Sequence, residues 1–205
     1  MMRLCLRAIV TITLAGCGGS SDDSGADAGA VNLTPPAECA LSAPPSSWQY
    51  PAGPYGTDVG DTFEDITLDD CDGAPVNFGD ILGQSELTLF TIGAGWCEPC
   101  IEESETLDSE IFRSFCGRGL RVVQVLFQDD QSRAATGLFC QQWKERFEMS
   151  FPVLKDPLFE TDRFFSDITA QTPVNVLVDS QGEIVFKEVG TPAADLPQRI
   201  DALLP

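Results

Sequence analysis

The sequence predicts a mixed α/β domain, with elements in the order βαβα followed by ββα. Three observations carry that reading. Apolar runs of strand length alternate with longer stretches of helical periodicity from about Val59 onward. Clusters of Gly, Pro and Asp fall where those runs should end. The composition, 43% hydrophobic and 21% charged over 205 residues, is that of one globular domain with extras rather than of a disordered chain.

The extras come first. Arg3 and Arg7 precede a short apolar run, Ala8 to Ala15, which is too short for a membrane-spanning helix. The run ends in Leu14-Ala15-Gly16-Cys17, which resembles the lipobox of bacterial lipoproteins. That resemblance implies a signal peptide over 1–16, cleavage before Cys17 and lipid on the Cys17 thiol. Gly18, not aspartate, follows the cysteine, which leans toward the outer rather than the inner membrane. Residues 18–30, GGSSDDSGADAGA, are small and acidic and read as a flexible tether. From 31 to 57 the chain carries six prolines with Trp48, Tyr50 and Tyr55 among them. Proline at that density excludes helix, and the rings imply an extended arm docked along the domain. Residues 17–57 are thus a lipidated tether and arm, and 58–205 the folded domain.

Within the domain, Thr62–Leu68 and Val76–Phe78 read as a hairpin about the turn Asp69–Gly73. The aspartates there lack the spacing of a calcium loop. Leu87–Ile92 is a short buried strand. A helix is expected from Cys97 to about Phe115, with acids in its first half, where the helix dipole favours them, and Gly117 as its stop. Leu120–Gln128 is a strand, Ser132–Phe147 a second helix, and Phe151–Leu154 a short extended piece. Phe159–Phe165 reads as a helical turn. Val174–Val178 and Glu183–Val189 form a hairpin about Ser180-Gln181-Gly182, and Asp195–Leu204 closes as a helix.

Charge narrows the function. Lys and Arg number 12, Asp and Glu 32, so the net charge is −20. A chain this acidic is not expected to bind nucleic acid. There is no histidine, which removes Ser-His-Asp triads, His-ligated metals and imidazole bases together.

The chemistry sits in Cys97-Glu98-Pro99-Cys100, between a strand and a helix. At this spacing both sulfurs lie on the first helical turn and can close a disulfide. The free backbone N–H groups and the dipole there stabilise a Cys97 thiolate, the nucleophile of disulfide exchange. Pro99 costs no hydrogen bond so early in a helix. A zinc ribbon would need a second CxxC, and a c-type haem site a histidine where Ile101 stands.

Trp96-Cys97-Glu98-Pro99-Cys100 resembles the WCxxC site of the thioredoxin superfamily. Val59–Phe63 and Cys71–Phe78 are similar to the opening hairpin of its redoxin and TlpA-like branch. The resemblance implies a thioredoxin fold, with a central mixed sheet flanked by helices and an N-terminal hairpin extension. It implies that Cys97 attacks a substrate disulfide, that the more buried Cys100 resolves it, and that Trp96 packs beside the sulfurs. Pro173 is implied to be cis, presenting the Thr172 backbone to an extended partner. The superfamily's buried aspartate is replaced by Thr91, leaving Glu98 as the nearest obvious acid. A carboxylate there would raise the thiol pKa values and favour a reducing couple. The Glu-Pro dipeptide is also found in membrane-tethered reductases of cytochrome c maturation.

Cys39, Cys71, Cys116 and Cys140 remain, with three pairings open to them. Cys39–Cys71 is expected to staple the arm to the hairpin, and Cys116–Cys140 to join two helices, as suits an exported domain. The function expected is an exported, periplasm-facing thiol–disulfide oxidoreductase in the cell envelope. It would act as a monomer, without cofactor or metal, on exported proteins carrying disulfides or thiols. An upstream redox partner protein would recharge it, and the N-terminal lipid would hold it to a membrane. The alternatives are a redoxin-type peroxidase and a non-catalytic binding lipoprotein of the same fold.

Overall fold

A computed structural model describes residues 33–165, 171–190 and 195–205. Cys17, the signal segment and the tether lie outside them. The elements run β1 (Thr67–Asp70), β2 (Pro75–Asn77), α1 (Phe78–Leu82), β3 (Leu87–Ala94), α2 (Glu98–Thr106), α3 (Arg113–Phe115), β4 (Leu120–Gln128), α4 (Gly137–Arg146), β5 (Val153–Lys155), β6 (Val174–Asp179), β7 (Ile184–Val189) and α5 (Leu196–Leu203). Among the described residues the strands form one seven-stranded sheet in the order β2-β1-β5-β4-β3-β6-β7. β4 runs parallel to β3 and β5; the remaining pairs are antiparallel. This is the mixed α/β sheet the sequence predicts.

β3 is buried at every residue, as a central strand covered on both faces must be. One face packs Leu87, Leu89, Val122 and Leu126 against Leu107, Ile111, Phe112, Trp143 and Ile200. The other face gathers Phe63, Phe78, Phe90 and Phe164, whose ring centroids lie 4.6 to 6.0 Å apart.

Several elements differ from expectation for local reasons. β1 begins at Thr67, not Thr62, and Phe78 opens α1 instead of ending a strand because Asn77 Oδ1 accepts the Asp80 N–H as a helix cap. The long helix after Cys97 widens into a π-helical turn over Leu107–Phe112, where the Arg113 N–H reaches back five residues to Asp108 O. The buried Asp108 carboxylate accepts from Ser150 N at 2.8 Å and pairs with Arg113. The helical stretch stops at Gly119, whose φ of 100° only glycine adopts cheaply, rather than at Gly117. α4 starts at Gly137 because Thr136 Oγ1 accepts the Phe139 N–H.

The proline-rich arm lies on the domain. Trp48 Nε1 donates to Gly79 O at 2.9 Å and Tyr50 OH donates to Phe63 O at 2.8 Å. Tyr55 is half exposed and donates within the arm, to Pro51 O.

The disulfides correct the expected pairing. Cys39 joins Cys116 and Cys71 joins Cys140, each with Cα atoms 5.2 Å apart, in place of Cys39–Cys71 and Cys116–Cys140. The cause is the sheet order. β1 enters the sheet beside β5, so the turn carrying Cys71 meets α4, and the Cys71 and Cys140 sulfurs both lie 3.5 Å from Val153 O. The arm instead brings the short 3-10 turn Ala37–Cys39 against the one at Cys116–Arg118.

The Cys39–Cys116 bond spans 77 residues of sequence. Chain entropy for so long a loop gives it about 4 kcal/mol of stabilisation. The Cys39→Ser, Cys116→Ser double variant should lower the urea-unfolding free energy by about that amount. Peptide mapping of the oxidised protein should recover Cys39–Cys116 and Cys71–Cys140 peptides, and a Cys39–Cys71 peptide would refute this pairing.

Candidate active site

β3 delivers the chain to the site through Gly93-Ala94-Gly95. A Cβ on Gly95 would come within 2.6 Å of Asp130 N, so that position needs the missing side chain, and one on Gly93 would press on Cys100 Sγ at 3.2 Å. Cys97 follows as the N-cap of α2, its Sγ accepting the Cys100 N–H at 3.2 Å. Pro99 sits in the first turn, where no donor is needed. The two sulfurs are bonded to each other, with Cα atoms 5.2 Å apart, and both residues are buried.

The loop before β6 faces them. Thr172-Pro173 is cis, as the resemblance implies. Thr172 O lies 3.4 Å from Cys97 Sγ, and Thr172 Oγ1, which donates to Ile92 O at 3.0 Å, lies 3.3 Å from Cys100 Sγ. Trp96 is 44% exposed, so it borders the site as a surface ring instead of filling core. Its Nε1 donates to Gln128 Oε1 at 2.9 Å, and its ring meets Phe127 edge-on. Trp96, Cys97, Glu98, Pro99, Cys100, Thr172 and Pro173 are therefore brought together.

The acid beneath the cysteines is not Glu98. Glu98 is solvent-exposed at the start of α2. Glu103, one turn beyond Cys100, turns inward between α2 and the sheet and is only 8% exposed. Thr91 Oγ1 donates to Glu103 Oε2 at 3.2 Å, and Asn175 Nδ2 donates to Oε1 at 2.6 Å. Burial pushes the Glu103 carboxyl up to about 7; the two hydrogen bonds hold it down, and the Glu188 charge adds a little in the upward direction. Thr91, which lacks the acid chemistry of an aspartate, instead orients one. Helical spacing carried the missing signal: Cys100, Glu103 and Leu107 recur on one buried face, while Glu102 and Glu105 are exposed.

A cysteine pair capping a helix that follows the central strand, a cis-proline loop across from it and this strand order define a thiol–disulfide oxidoreductase of thioredoxin fold. The chain belongs to the AhpC/TSA family, whose profile matches residues 59–187. No curated protein sequence matches it. Among solved structures it is similar to a candidate thiol:disulfide interchange protein DsbE from Chlorobium tepidum, at 24% identity and TM-score 0.60 over 73% of this chain and 100% of that one. It is similar to the thioredoxin domain of a thiol-disulfide oxidoreductase from Bacteroides vulgatus, at 19% identity and TM-score 0.58 over 72% and 99% of the two chains. A secreted Mycobacterium tuberculosis disulfide oxidoreductase, described as homologous to E. coli DsbE, aligns at 20% identity and TM-score 0.51 over 67% and 96%. These likenesses bear on the fold.

An acid whose pKa rises from 4.5 to about 7 on folding binds its proton more tightly in the native state. Its contribution to stability is present below pH 4.5 and is lost as pH rises through about 7. Glu103→Gln should therefore be more stable than the parent at about pH 8, by on the order of 3 kcal/mol, and the gap should close toward about pH 4. Urea midpoints across that range check it; a gap independent of pH would contradict the raised pKa.

Proposed function

We propose that this chain reduces disulfides in other exported proteins while held to a membrane by lipid on Cys17. The observation that carries the reading is the Cys97–Cys100 pair at the start of α2, faced by Thr172 O and backed by the buried Glu103.

In the disulfide, the Cys100 N–H at the helix N-terminus is directed at Cys97 Sγ, and on reduction the same donor and the helix dipole favour Cys97 as the thiolate. It attacks one sulfur of the partner's disulfide. That S–S bond breaks, and the partner's other sulfur leaves as a thiolate that takes a proton from water. Cys100 then passes its thiol proton to the Glu103 carboxylate and attacks Cys97 Sγ. The mixed disulfide breaks, the partner's second sulfur departs, and two electrons have moved to the partner. An upstream redox partner reduces the Cys97–Cys100 bond to restart the cycle. The Thr172 backbone beside Cys97 offers an extended partner segment a place to lie.

Export is supported by cysteine usage, since all six cysteines of the described residues are paired, as suits an oxidising compartment. The N-terminal sequence supports a lipoprotein signal over 1–16 and a tether after Cys17. Reduction is favoured over oxidation by the two acids near the pair, Glu98 and Glu103, whose negative charge offsets part of the stabilisation that the helix N-terminus gives the thiolate. Cytochrome c maturation is one setting for such a reductant, suggested by the Glu98-Pro99 dipeptide.

The Cys97–Cys100 couple should have a reduction potential below about −250 mV; a value above about −180 mV would reverse the proposed direction. Cys97→Ser should abolish disulfide reduction. Cys100→Ser should accumulate a mixed disulfide with substrate, visible as a covalent adduct on a non-reducing gel.

A further inference from the structure

Two buried side-chain polar atoms among the described residues lack a hydrogen-bond partner, Arg121 Nε and Asn175 Oδ1. The second lies at the heart of the site. Asn175 is fully buried on β6, two residues after Pro173, and its Nδ2 makes the 2.6 Å bond to Glu103 Oε1. A buried amide oxygen without a partner gives up its hydration and gets nothing in return. An apolar residue would incur no such cost, so the amide calls for a reason.

The reason lies in what an amide can offer. A carboxylate only accepts, so it requires Nδ2; a carboxylic acid also donates, and the group it requires is Oδ1. The two amide atoms exchange places by a half-turn about the side chain's last torsion, which is broad and close to two-fold. We propose that Asn175 is a positioning residue for Glu103, a buried amide that presents Nδ2 to the carboxylate and Oδ1 to the carboxylic acid. It lets one side chain hold Glu103 in place on both sides of its proton exchange with Cys100. Thr91 Oγ1 is matched to the same task, because a hydroxyl also donates and accepts. The groups around Glu103 are then Thr91 on β3, Asn175 on β6 and the Glu188 carboxylate, whose strand β7 pairs Glu188 with Asn175, while Cys100 precedes it by three residues along α2.

This inference rests on Glu103 as the proton acceptor for Cys100, but its test does not require activity. In the oxidised full chain, the Glu103 side-chain carboxyl is followed by carbon-13 NMR as pH is raised. Asn175→Leu removes both bonds, and because the charge-assisted bond to the carboxylate is the stronger of the two, the Glu103 midpoint should still move upward from about 7, by up to about one pH unit, a tenfold gain in proton affinity. Asn175→Asp keeps the shape but replaces the donor with a second acid. It should give two coupled titration steps, the upper one above the parent's midpoint. It decides the matter should the leucine variant fail to fold. A Glu103 midpoint that stays put or falls in the folded variants overturns the proposal. A chain whose Glu103 titration responds as expected but which reduces no disulfide would remove the proposed function and leave the pairing of Asn175 with Glu103 standing.

Discussion

Burial of β3 on both faces is the constraint on which the rest depends. A strand covered above and below must be flanked by partners that satisfy its whole hydrogen-bond ladder, here β4 on one side and β6 on the other. That single arrangement brings the start of α2 and the cis-proline loop to the same end of the sheet, because α2 leaves β3 where β6 begins beside it. The sulfurs of Cys97 and Cys100 meet Thr172 for this reason, although about 70 residues of sequence separate them. It also sets Thr91 opposite Asn175 in the ladder, so that both reach one carboxylate.

Most of this was legible where local chemistry decides structure. The strands β3, β4, β6 and β7 follow from apolar runs and turns, and the helix after Cys97 from its spacing and acids. The Cys97–Cys100 site could be placed from four consecutive residues, since its geometry is set within a single helical turn. What escaped depends on contacts distant in sequence. Disulfide partners follow from which strand lies beside which, and the insertion of β1 next to β5 is written in no local pattern. The π-helical turn at Leu107–Phe112 belongs to Asp108, whose partner Ser150 lies 42 residues on. Glu103 was hidden in a run of acids that charge alone makes equivalent; only the helical face separates the buried one from its exposed neighbours.

That buried acid shows where the molecule gives up stability. A leucine between α2 and the sheet would pack without a desolvation penalty, and Asn175 could then be apolar as well. The chain instead keeps a carboxyl, an amide and a hydroxyl in contact beneath the cysteines, with one amide oxygen unsatisfied. Groups of this kind persist where a proton must be held and released near neutral pH. The cost is contained because the surrounding sheet and helix are tightly packed, and because two disulfides away from the site reinforce the frame that the acid weakens.

The Cys39–Cys116 bond also governs orientation. Cys97 opens the helical stretch and Cys116 begins its last turn, and a run of that length spans on the order of 25 Å. The arm is thus fastened to the end of the rod farthest from the reactive sulfur.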